Sequence, residues 1–194
     1  MKLLVLYGSV RQNRQEIKAA RFVQKQMADR GHEALLIDPL EYDFGMLDLQ
    51  YREYAEEEKP PKMKELAEHI ESADGLIIVS GEYNSSIPPA LTNMMDHFYK
   101  EYFHKPACLV TYSSGRFSGV RAAVQLRSFV SALGMILIPA TFMIPKIKDV
   151  FEADGTPREE GYEKRFHKTA TQLEWYMKVI KEGMRVQGHP EDHY

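Results

Sequence analysis

The chain has 194 residues, of which 44% are hydrophobic and 27% charged, and its formal net charge is −3 at pH 7. These values exclude a largely disordered chain and predict a single domain, residues 1–194, with a continuous core. Nucleic-acid-binding and anionic-membrane-binding surfaces need clustered basic residues, so the charge argues against both kinds of partner.

The cysteine content and the lengths of the apolar runs indicate where in the cell the protein is expected. Cys108 is the one cysteine, which excludes an intrachain disulfide and a cysteine-rich zinc site and fits a reducing environment. The N-terminal apolar run covers only residues 3–7, which is too short for a secretion signal or a membrane span. We therefore expect a soluble, cytoplasmic protein.

Short apolar runs alternate with segments of helical periodicity. The unbroken runs predict buried strands at residues 3–7, 34–37, 76–79, 107–112 and 135–138. The intervening segments predict helices over residues 14–30, from Pro60-Pro61, from Pro88-Pro89, from Val120 to a stop at Gly134, and over about 157–186. A capping box of Thr156 and Glu159, with Pro157 in the first turn, sets the expected start of the last helix.

This β-α alternation predicts a parallel sheet with helices on both faces. Five strands in a chain of this length fit the flavodoxin-like order 2-1-3-4-5 better than a six-stranded Rossmann sheet. The expected architecture is therefore an α/β class, three-layer α/β/α sandwich. In such sheets ligands bind outside the carboxyl ends of the strands, where the strand order switches. The loops after strands 1, 3 and 4 are the candidate site.

The first loop, residues 8–17, carries the features of a phosphate site. Gly8 permits a sharp turn, Ser9 supplies a hydroxyl, and Arg11 and Arg14 supply positive charge beside the N–H groups of a helix start. A capping serine with two solvated arginines is the alternative interpretation. The chain lacks a Walker A loop and a Gly-x-Gly-x-x-Gly fingerprint, which favours a mononucleotide phosphate over a pyrophosphate.

The other two loops follow buried strands and are polar. Residues 81–88 make a tight loop in which Tyr83 and Asn84 can shape a pocket for a planar heterocycle, although a simple strand-capping turn would look similar. Residues 112–119 are small and polar. Taken alone they are weak evidence, and their value is that they converge on the same crevice.

Two of these motifs together resemble a known family. Gly8-Ser9-Val10-Arg11, followed by residues 82–88 (Glu-Tyr-Asn-Ser-Ser-Ile-Pro) before a helix, is similar to the NADPH-dependent FMN reductase family, which includes azoreductase-like, quinone-reductase-like and chromate-reductase-like proteins. The resemblance runs from strand 1 to about Gly134. The chain departs from the family pattern at Gly81, where proline is frequent, and at Arg14, where serine is frequent.

The resemblance implies a flavodoxin-like fold, non-covalent FMN, NADPH or NADH as co-substrate, and a homodimer or homotetramer. The implied phosphate contacts are Ser9, Arg11, Arg14, Gln15, Glu16 and Ile17. The residues implied to line the isoalloxazine ring are Glu82, Tyr83, Asn84 and Ser85, with Ser113, Ser114 and Gly115 on its other side. No catalytic side chain and no metal are expected, because hydride transfer takes place on the flavin.

The function implied is transfer of a hydride from NAD(P)H through FMN to a small electron acceptor: a quinone, an azo compound, free flavin or a metal oxyanion. An FMN-binding electron carrier or a redox-sensing interaction module is the alternative. The modest net charge of −3 and the absence of an aromatic pair in the third loop favour the enzyme. A hydrolase is disfavoured because Ser118 lies one position late for a nucleophile elbow.

An aromatic cluster suggests a subunit interface. Phe98, Tyr99, Tyr102 and Phe103 would give the helix after the second loop apolar residues on more than one side. An exposed patch of this kind is costly. We therefore expect a homodimer that uses this helix and places partner residues near the flavin.

Overall fold

The computed structural model describes residues 1–14 and 16–190. The strands in this part of the chain are β1 (Lys2–Tyr7), β2 (Glu33–Ile37), β3 (Gly75–Ser80), β4 (Pro106–Tyr112) and β5 (Ile136–Ile144). The α-helices are α1 (Ile17–Asp29), α2 (Pro61–Ser72), α3 (Pro89–Asp96), α4 (Val120–Ala132) and α5 (Tyr162–Gln187). Short 3₁₀ helices lie at Tyr51–Glu53, Glu56–Glu58, Lys100–Tyr102 and Ile147–Asp149.

The strands form one parallel sheet in the order β2-β1-β3-β4-β5, which confirms the predicted flavodoxin-like topology. Alternate strand residues feed two cores. On one face, residues such as Leu3 and Val5 pack with α1 and α5. On the other face, residues such as Leu4 and Leu6 pack with α2, α3 and α4. Both faces of the sheet are covered, which explains the unbroken apolar strands.

Helix α1 begins later than predicted. It starts at Ile17 and not at Arg14. The guanidinium of Arg14 instead binds the carboxylate of Asp38 and the carbonyl of Ser9, and Asn13 has a left-handed φ of 54°. These contacts hold residues 9–14 as a loop.

The predicted start of the C-terminal helix is also wrong. Helix α5 begins at Tyr162 and not at Pro157. The backbone N–H of Thr156 donates to the side chain of Asp154 at 2.9 Å, and the Thr156 hydroxyl donates to the same carboxylate at 3.0 Å. Asp154 and Thr156 therefore form an Asx-turn, and Thr156 is not available for a capping box with Glu159.

Strand β5 is longer than predicted. It extends to Ile144 and passes through Pro139, because it is the edge strand of the sheet, where a residue without an N–H is tolerated. The pairing with β4 shifts register between Ala107 and Leu109, which accommodates the irregularity.

The aromatic residues predicted to form a subunit interface do not lie on the helix that follows the second loop. Helix α3 ends at Asp96, so none of them is on that helix. Phe98 and Tyr102 are 0% and 1% exposed, and Phe98 packs against Phe44 and Tyr51. Phe98 and Tyr102 therefore belong to the core of their own chain, whereas Tyr99 and Phe103 are half-buried. The exposed apolar patch is smaller than predicted, and the homodimer stays a prediction. No helix of the described ranges is long and apolar enough to cross a membrane.

Candidate functional site

The loops after β1, β3 and β4 meet at the carboxyl edge of the sheet because these strands are neighbours in it. The N–H of Gly8 donates to the carbonyl of Val79 at 3.1 Å, so the first loop leaves the sheet only after this bond. A Cβ on Gly8 would stand 3.1 Å from Leu91 Cδ2 of α3. Gly8 thus allows the first loop to lie against the helix that follows the second loop.

A hydroxyl contact joins the first two loops. Ser9 is 1% exposed, and its Oγ lies 2.7 Å from the hydroxyl of Tyr83. The backbone N–H of Arg11 donates to the same Oγ at 3.4 Å. Ser9 and Tyr83 are 74 positions apart, so the fold brings together two residues that the sequence placed in separate site loops.

The two arginines of the first loop have different surroundings. Arg14 donates two bonds to Asp38, which is 6% exposed, and a third to the Ser9 carbonyl at 2.8 Å. Arg11 is exposed, lies 5.8 Å from the centre of the Tyr83 ring, and among the described residues pairs with no carboxylate. Arg11 is therefore the cation available to an anion, whereas Arg14 holds the loop in place.

The start of α1 lies beside these groups. The N–H of Ala19 donates to the carbonyl of Glu16 at 3.0 Å, and no described side chain caps the helix. The first N–H groups of such a helix are unpaired and attract anions. Glu16 and Ile17 are half-buried, and Glu16 adds one negative charge at this end. Gln15 lies outside the described residues.

The second loop folds as a tight reverse turn. The N–H of Tyr83 donates to the carbonyl of Ser86 at 3.0 Å, and the reverse bond is 2.9 Å. Asn84 and Ser85 between them have φ of 49° and 64°. Positive φ at both central positions defines a type I′ turn. The turn exposes Asn84 and Ser85 at its tip and leaves Tyr83 half-buried against the first loop.

Helix α4 fixes the position of this turn. The Glu82 carboxylate accepts the backbone N–H of Arg121 at 3.0 Å and its guanidinium at 2.9 Å. Gln125 accepts from the Ser86 hydroxyl at 2.7 Å and donates to the Ser85 carbonyl at 2.8 Å. Glu82 thus caps the first turn of α4, which favours a negative charge. The sequence did not indicate this role for Glu82, nor the part played by Arg121 and Gln125.

The third loop is tied to the segment after β5. The carbonyl of Ser113 accepts the N–H of Ile147 at 3.1 Å, and the carbonyl of Gly115 accepts the N–H of Lys146 at 2.9 Å. The Ser113 hydroxyl donates to the Gly115 carbonyl at 3.1 Å. Ser114 is exposed at the tip. The loop is therefore held in shape by its own backbone and by that of a neighbouring strand end.

A tyrosine explains one departure from the family pattern. Tyr112 ends β4, and its ring reaches the beginning of the second loop. A Cβ on Gly81 would stand 2.9 Å from Tyr112 Cε2, a distance that side chains do not adopt. Proline at position 81 would overlap this ring, so glycine here follows from the presence of Tyr112.

Two buried tyrosines at the same edge of the sheet were not among the predicted site residues. Tyr7 and Tyr112 are the last residues of β1 and β4 and are 0% and 3% exposed. In the part of the chain that the structure describes, neither phenolic oxygen has a hydrogen-bond partner. Burial raises the pKa of Tyr7 to about 12, and the nearby hydroxyls of Tyr112 and Ser9 oppose that rise. A hydroxyl-bearing aromatic at the ligand end of a buried strand was the available signal.

Known proteins resemble this chain in sequence. The sequence profile of the NADPH-dependent FMN reductases matches residues 1–149. The chain belongs to this family. It is 26% identical to an NADPH azoreductase of Bacillus sp. (strain OY1-2), over 94% of this chain and 96% of that protein. It is 31% identical to an FMN-dependent NADPH-azoreductase of Staphylococcus aureus (strain USA300), over 72% of this chain and 74% of that protein.

Solved structures agree on the fold. FerB, a flavoenzyme NAD(P)H:(acceptor) oxidoreductase from Paracoccus denitrificans, superposes with a TM-score of 0.67 at 22% identity, covering 93% of this chain and 97% of that one. An oxidised flavodoxin from Bacillus cereus superposes with a TM-score of 0.53 at 16% identity, over 90% and 98% of the two chains. Family membership makes this reductase an oxidoreductase whose cofactor is FMN and whose reductant is a reduced nicotinamide nucleotide.

Proposed function

We propose that this reductase transfers a hydride from NAD(P)H through FMN, bound in the crevice between the three loops, to a small organic electron acceptor. One observation carries the proposal: Ser9 and Tyr83 touch at 2.7 Å directly beside an unpaired arginine and the start of α1. The chain is taken as a single FMN-binding domain over residues 1–194. Its one cysteine, Cys108, is fully buried, which fits a reducing cytoplasm.

The phosphate of FMN is assigned to the first loop. The Arg11 guanidinium, the Ser9 hydroxyl and the first N–H groups of α1 are donors of the kind that bind phosphate. Arg14 contributes indirectly, because its contacts with Asp38 and the Ser9 carbonyl set the path of the loop. Glu16 and Ile17 contribute through backbone N–H groups, since a carboxylate would repel the phosphate.

The flavin ring is assigned to the space between the second and third loops. The type I′ turn presents Asn84 and Ser85 on one side, and Ser113, Ser114 and Gly115 form the other. When bound, FMN supplies the redox chemistry, and the protein orients it and tunes its electronics. The rigid bracing of both loops favours a fixed ring position. No side-chain acid or base is required of the protein.

An apolar cavity beside the first loop suggests the class of acceptor. Its volume is about 310 Å³, and its walls include Val10, Met46, Ala90 and Met94. Val10 is 45% and Met46 83% exposed, so both can contact an incoming molecule. Apolar walls favour flat organic molecules over a small oxyanion. Quinones and azo compounds are therefore the proposed acceptors in preference to chromate.

A second copy of the chain is the proposed partner. Phe117, Val120 and Val124 are 66%, 37% and 64% exposed at the start of α4, next to the second and third loops. Exposed apolar side chains grouped in this way are typical of interaction sites. We propose a homodimer through this face. Static light scattering should give a dimer for the parent chain and a monomer for Val124→Glu, and a monomeric parent chain would contradict it.

The first experiment is an absorption spectrum of the purified protein after incubation with FMN and removal of unbound flavin. We expect the spectrum of oxidised flavin, followed by bleaching on anaerobic addition of NADPH. Bound flavin that neither NADPH nor NADH bleaches would favour the electron-carrier or sensor alternative. A protein that retains no flavin would overturn the assignment of the three loops.

Acceptor specificity is then measured by mixing the reduced protein with a benzoquinone, an azo dye, free riboflavin and chromate at equal concentrations. We expect the quinone and the azo dye to reoxidise the flavin fastest. Met46→Glu should slow these two acceptors without changing reduction by NADPH. Reoxidation that is fastest with chromate, or unaffected by Met46→Glu, would contradict the role of the apolar cavity.

A further inference from the structure

The third loop and the segment after β5 carry positive charge that the proposed FMN site does not use. Residues 113–119 and 145–149 together contain three basic residues and one acidic residue, Asp149. Arg116 and Lys146 are both exposed, and in the described part of the chain neither side chain makes an ion pair or a hydrogen bond. Exposed cations without partners are free to bind an anionic ligand.

Backbone hydrogen bonds bring these two residues, the cation pair, next to each other. The carbonyl of Gly115, the residue before Arg116, accepts the N–H of Lys146 at 2.9 Å. The next residue, Ile147, donates its N–H to the carbonyl of Ser113 at 3.1 Å. These two bonds hold the segment after β5 along the third loop, so that both cations lie at the same edge of the proposed crevice.

The other cations of the three loops are already engaged. The second loop, residues 81–88, contains no basic residue. Arg121 at the start of α4 pairs with Glu82 at 2.9 Å, and the same carboxylate accepts an N–H of that helix start. In the first loop, Arg11 is assigned to the FMN phosphate and Arg14 is bound by a carboxylate. The cation pair therefore remains for a second anionic group.

A reduced nicotinamide nucleotide brings such a group to the crevice. Its nicotinamide must lie against the flavin ring for a hydride to pass, and that ring is assigned to the space between the second and third loops. NADPH differs from NADH by a phosphate on the 2′ oxygen of the adenosine ribose, and in dinucleotide sites of other folds an arginine accommodates this phosphate. A guanidinium holds phosphate oxygens through two parallel N–H bonds.

We propose that Arg116 binds the 2′-phosphate of NADPH, with Lys146 as a second cation, and that this contact makes the chain select NADPH over NADH. The inference rests on the proposed function, because it requires FMN in the crevice. Arg116 is a specificity-determining residue in this arrangement, since it contacts only the part of the nucleotide in which the two reductants differ.

The first test measures binding without catalysis. Isothermal titration calorimetry of the FMN-loaded protein compares adenosine 2′,5′-bisphosphate with 5′-AMP, two nucleotides that differ only in the 2′-phosphate. We expect the parent chain to bind the bisphosphate about tenfold more tightly, the effect of a hydrogen bond between charged groups. Arg116→Ala should remove this difference. Arg116→Lys should keep part of it, because an ammonium retains the charge but not the paired N–H geometry.

The second test measures reduction of the flavin by each nucleotide. Anaerobic stopped-flow mixing records flavin bleaching over a range of NADPH and NADH concentrations. Arg116→Ala should raise the apparent dissociation constant of NADPH about tenfold without a comparable change for NADH. The limiting rate of bleaching should stay the same. Lys146→Gln should show the same selectivity with a smaller effect, because it removes the second cation only.

Two controls keep these measurements specific. Arg185→Ala removes another exposed arginine, which pairs with Glu182 in the last turn of α5, and should leave the ratio of NADPH to NADH affinity unaltered. Urea titration of Arg116→Ala should give the stability of the parent chain, because the side chain makes no contact that supports the fold. If Arg116→Ala does not fold, the selective effect of Lys146→Gln decides.

The outcomes separate this inference from the proposed function. A parent chain that retains no FMN, or whose FMN neither nucleotide bleaches, contradicts the proposed function itself. A parent chain that binds both nucleotides equally well overturns only the 2′-phosphate contact, as does an NADPH preference that Arg116→Ala leaves intact. Equal weakening of NADPH and NADH in Arg116→Ala would show that the arginine shapes the loop and would also overturn it.

Discussion

The two ends of the parallel sheet differ in what they offer a ligand. At the amino end, the last turns of α5 and the start of β5 enclose a cavity of about 470 Å³ with apolar walls that include Ile136, Ile180 and Met184. At the carboxyl end, the cavity beside the first loop measures about 310 Å³. The amino end has the larger volume of the two, but it carries none of the loop motifs.

Polar groups favour the smaller space as the proposed site. At the amino end, Lys105 donates to two backbone carbonyls at 2.9 Å, and Asp74 pairs with Lys181 at 2.7 Å. Lys105 and Asp74 are thus paired, whereas Nε2 of the nearby His104 has no partner among the described residues. At the carboxyl end, two phenols and the Arg11 guanidinium are unpaired among the described residues. Unsatisfied donors, more than volume, mark where a ligand belongs.

The arginine pair of the first loop gives the largest expected effect. Arg14→Ala leaves the buried Asp38 carboxylate without its partner, and we expect a loss of about 2 to 3 kcal/mol in the free energy of unfolding, measured with urea. Arg11→Ala should change that free energy by less than about 0.5 kcal/mol and weaken FMN binding about tenfold. Equal destabilisation by both substitutions would contradict the separation between support and binding at this end.

Away from the carboxyl end, Glu174 should affect stability and not cofactor binding. Its carboxylate binds Arg30 at 2.6 Å and His32 at 2.8 Å. The hydrogen bond from Arg30, partly opposed by burial and supported by His32, lowers the pKa of Glu174 to about 2. We expect Glu174→Gln to lower the free energy of unfolding by about 2 kcal/mol at pH 7 and to leave FMN affinity unchanged.

The pH dependence of this effect has a definite sign. A carboxyl whose pKa is lowered in the folded state stabilises that state above its unfolded pKa of about 4.3. This contribution is lost as the pH falls from there toward 2. The difference between the parent chain and Glu174→Gln should therefore shrink between pH 5 and pH 2.5 in urea titrations. Glu182→Gln, which removes an exposed pairing with Arg185, is the matched control, and a similar pH response there would refute the assignment.

The fold could be predicted from the sequence because the patterns that specify it lie within short segments of the chain. Each strand is an unbroken apolar run, and the alternation with helical segments specifies a parallel sheet. The first residues of the helices were harder to predict, because they depend on side-chain hydrogen bonds that hydrophobic periodicity does not show. Asp154 takes both donors of Thr156, and Arg14 is held by Asp38, 24 positions away. In both cases a side-chain contact displaced a plausible local cap.

The sequence predicted which loops form the proposed site, but it did not predict the side-chain contacts between them. The residues after β1, β3 and β4 predicted the crevice that we propose as the site, but they did not predict the contact of Glu82 with Arg121, which spans 39 positions. The same limit applies to Tyr7 and Tyr112, which fit a buried strand by their size. Only the folded structure shows that their hydroxyls lack partners. Sequence specifies which side chains reach the edge, and packing decides which of them remain available.

The smallest expected effect tests whether the amino-end cavity is only a packing feature. Gly183 lies in α5 and borders that cavity, and a Cβ added there would meet nothing within 4 Å. Because glycine inside a helix is less stable than alanine, Gly183→Ala should raise the free energy of unfolding by about 0.5 to 1 kcal/mol. FMN affinity should not change.

Gly75→Ala at the same end is the contrasting substitution for Gly183→Ala. Its Cβ would stand 2.5 Å from Met177 Sδ and 3.1 Å from the Pro106 carbonyl, so it should lower stability, again without an effect on FMN. Urea titration and flavin fluorescence measure both quantities on the same samples. If either substitution weakened FMN binding, the amino-end cavity would be coupled to the crevice across the length of the strands. Unchanged FMN affinity in both would show that cofactor recognition depends on the carboxyl end of the sheet alone.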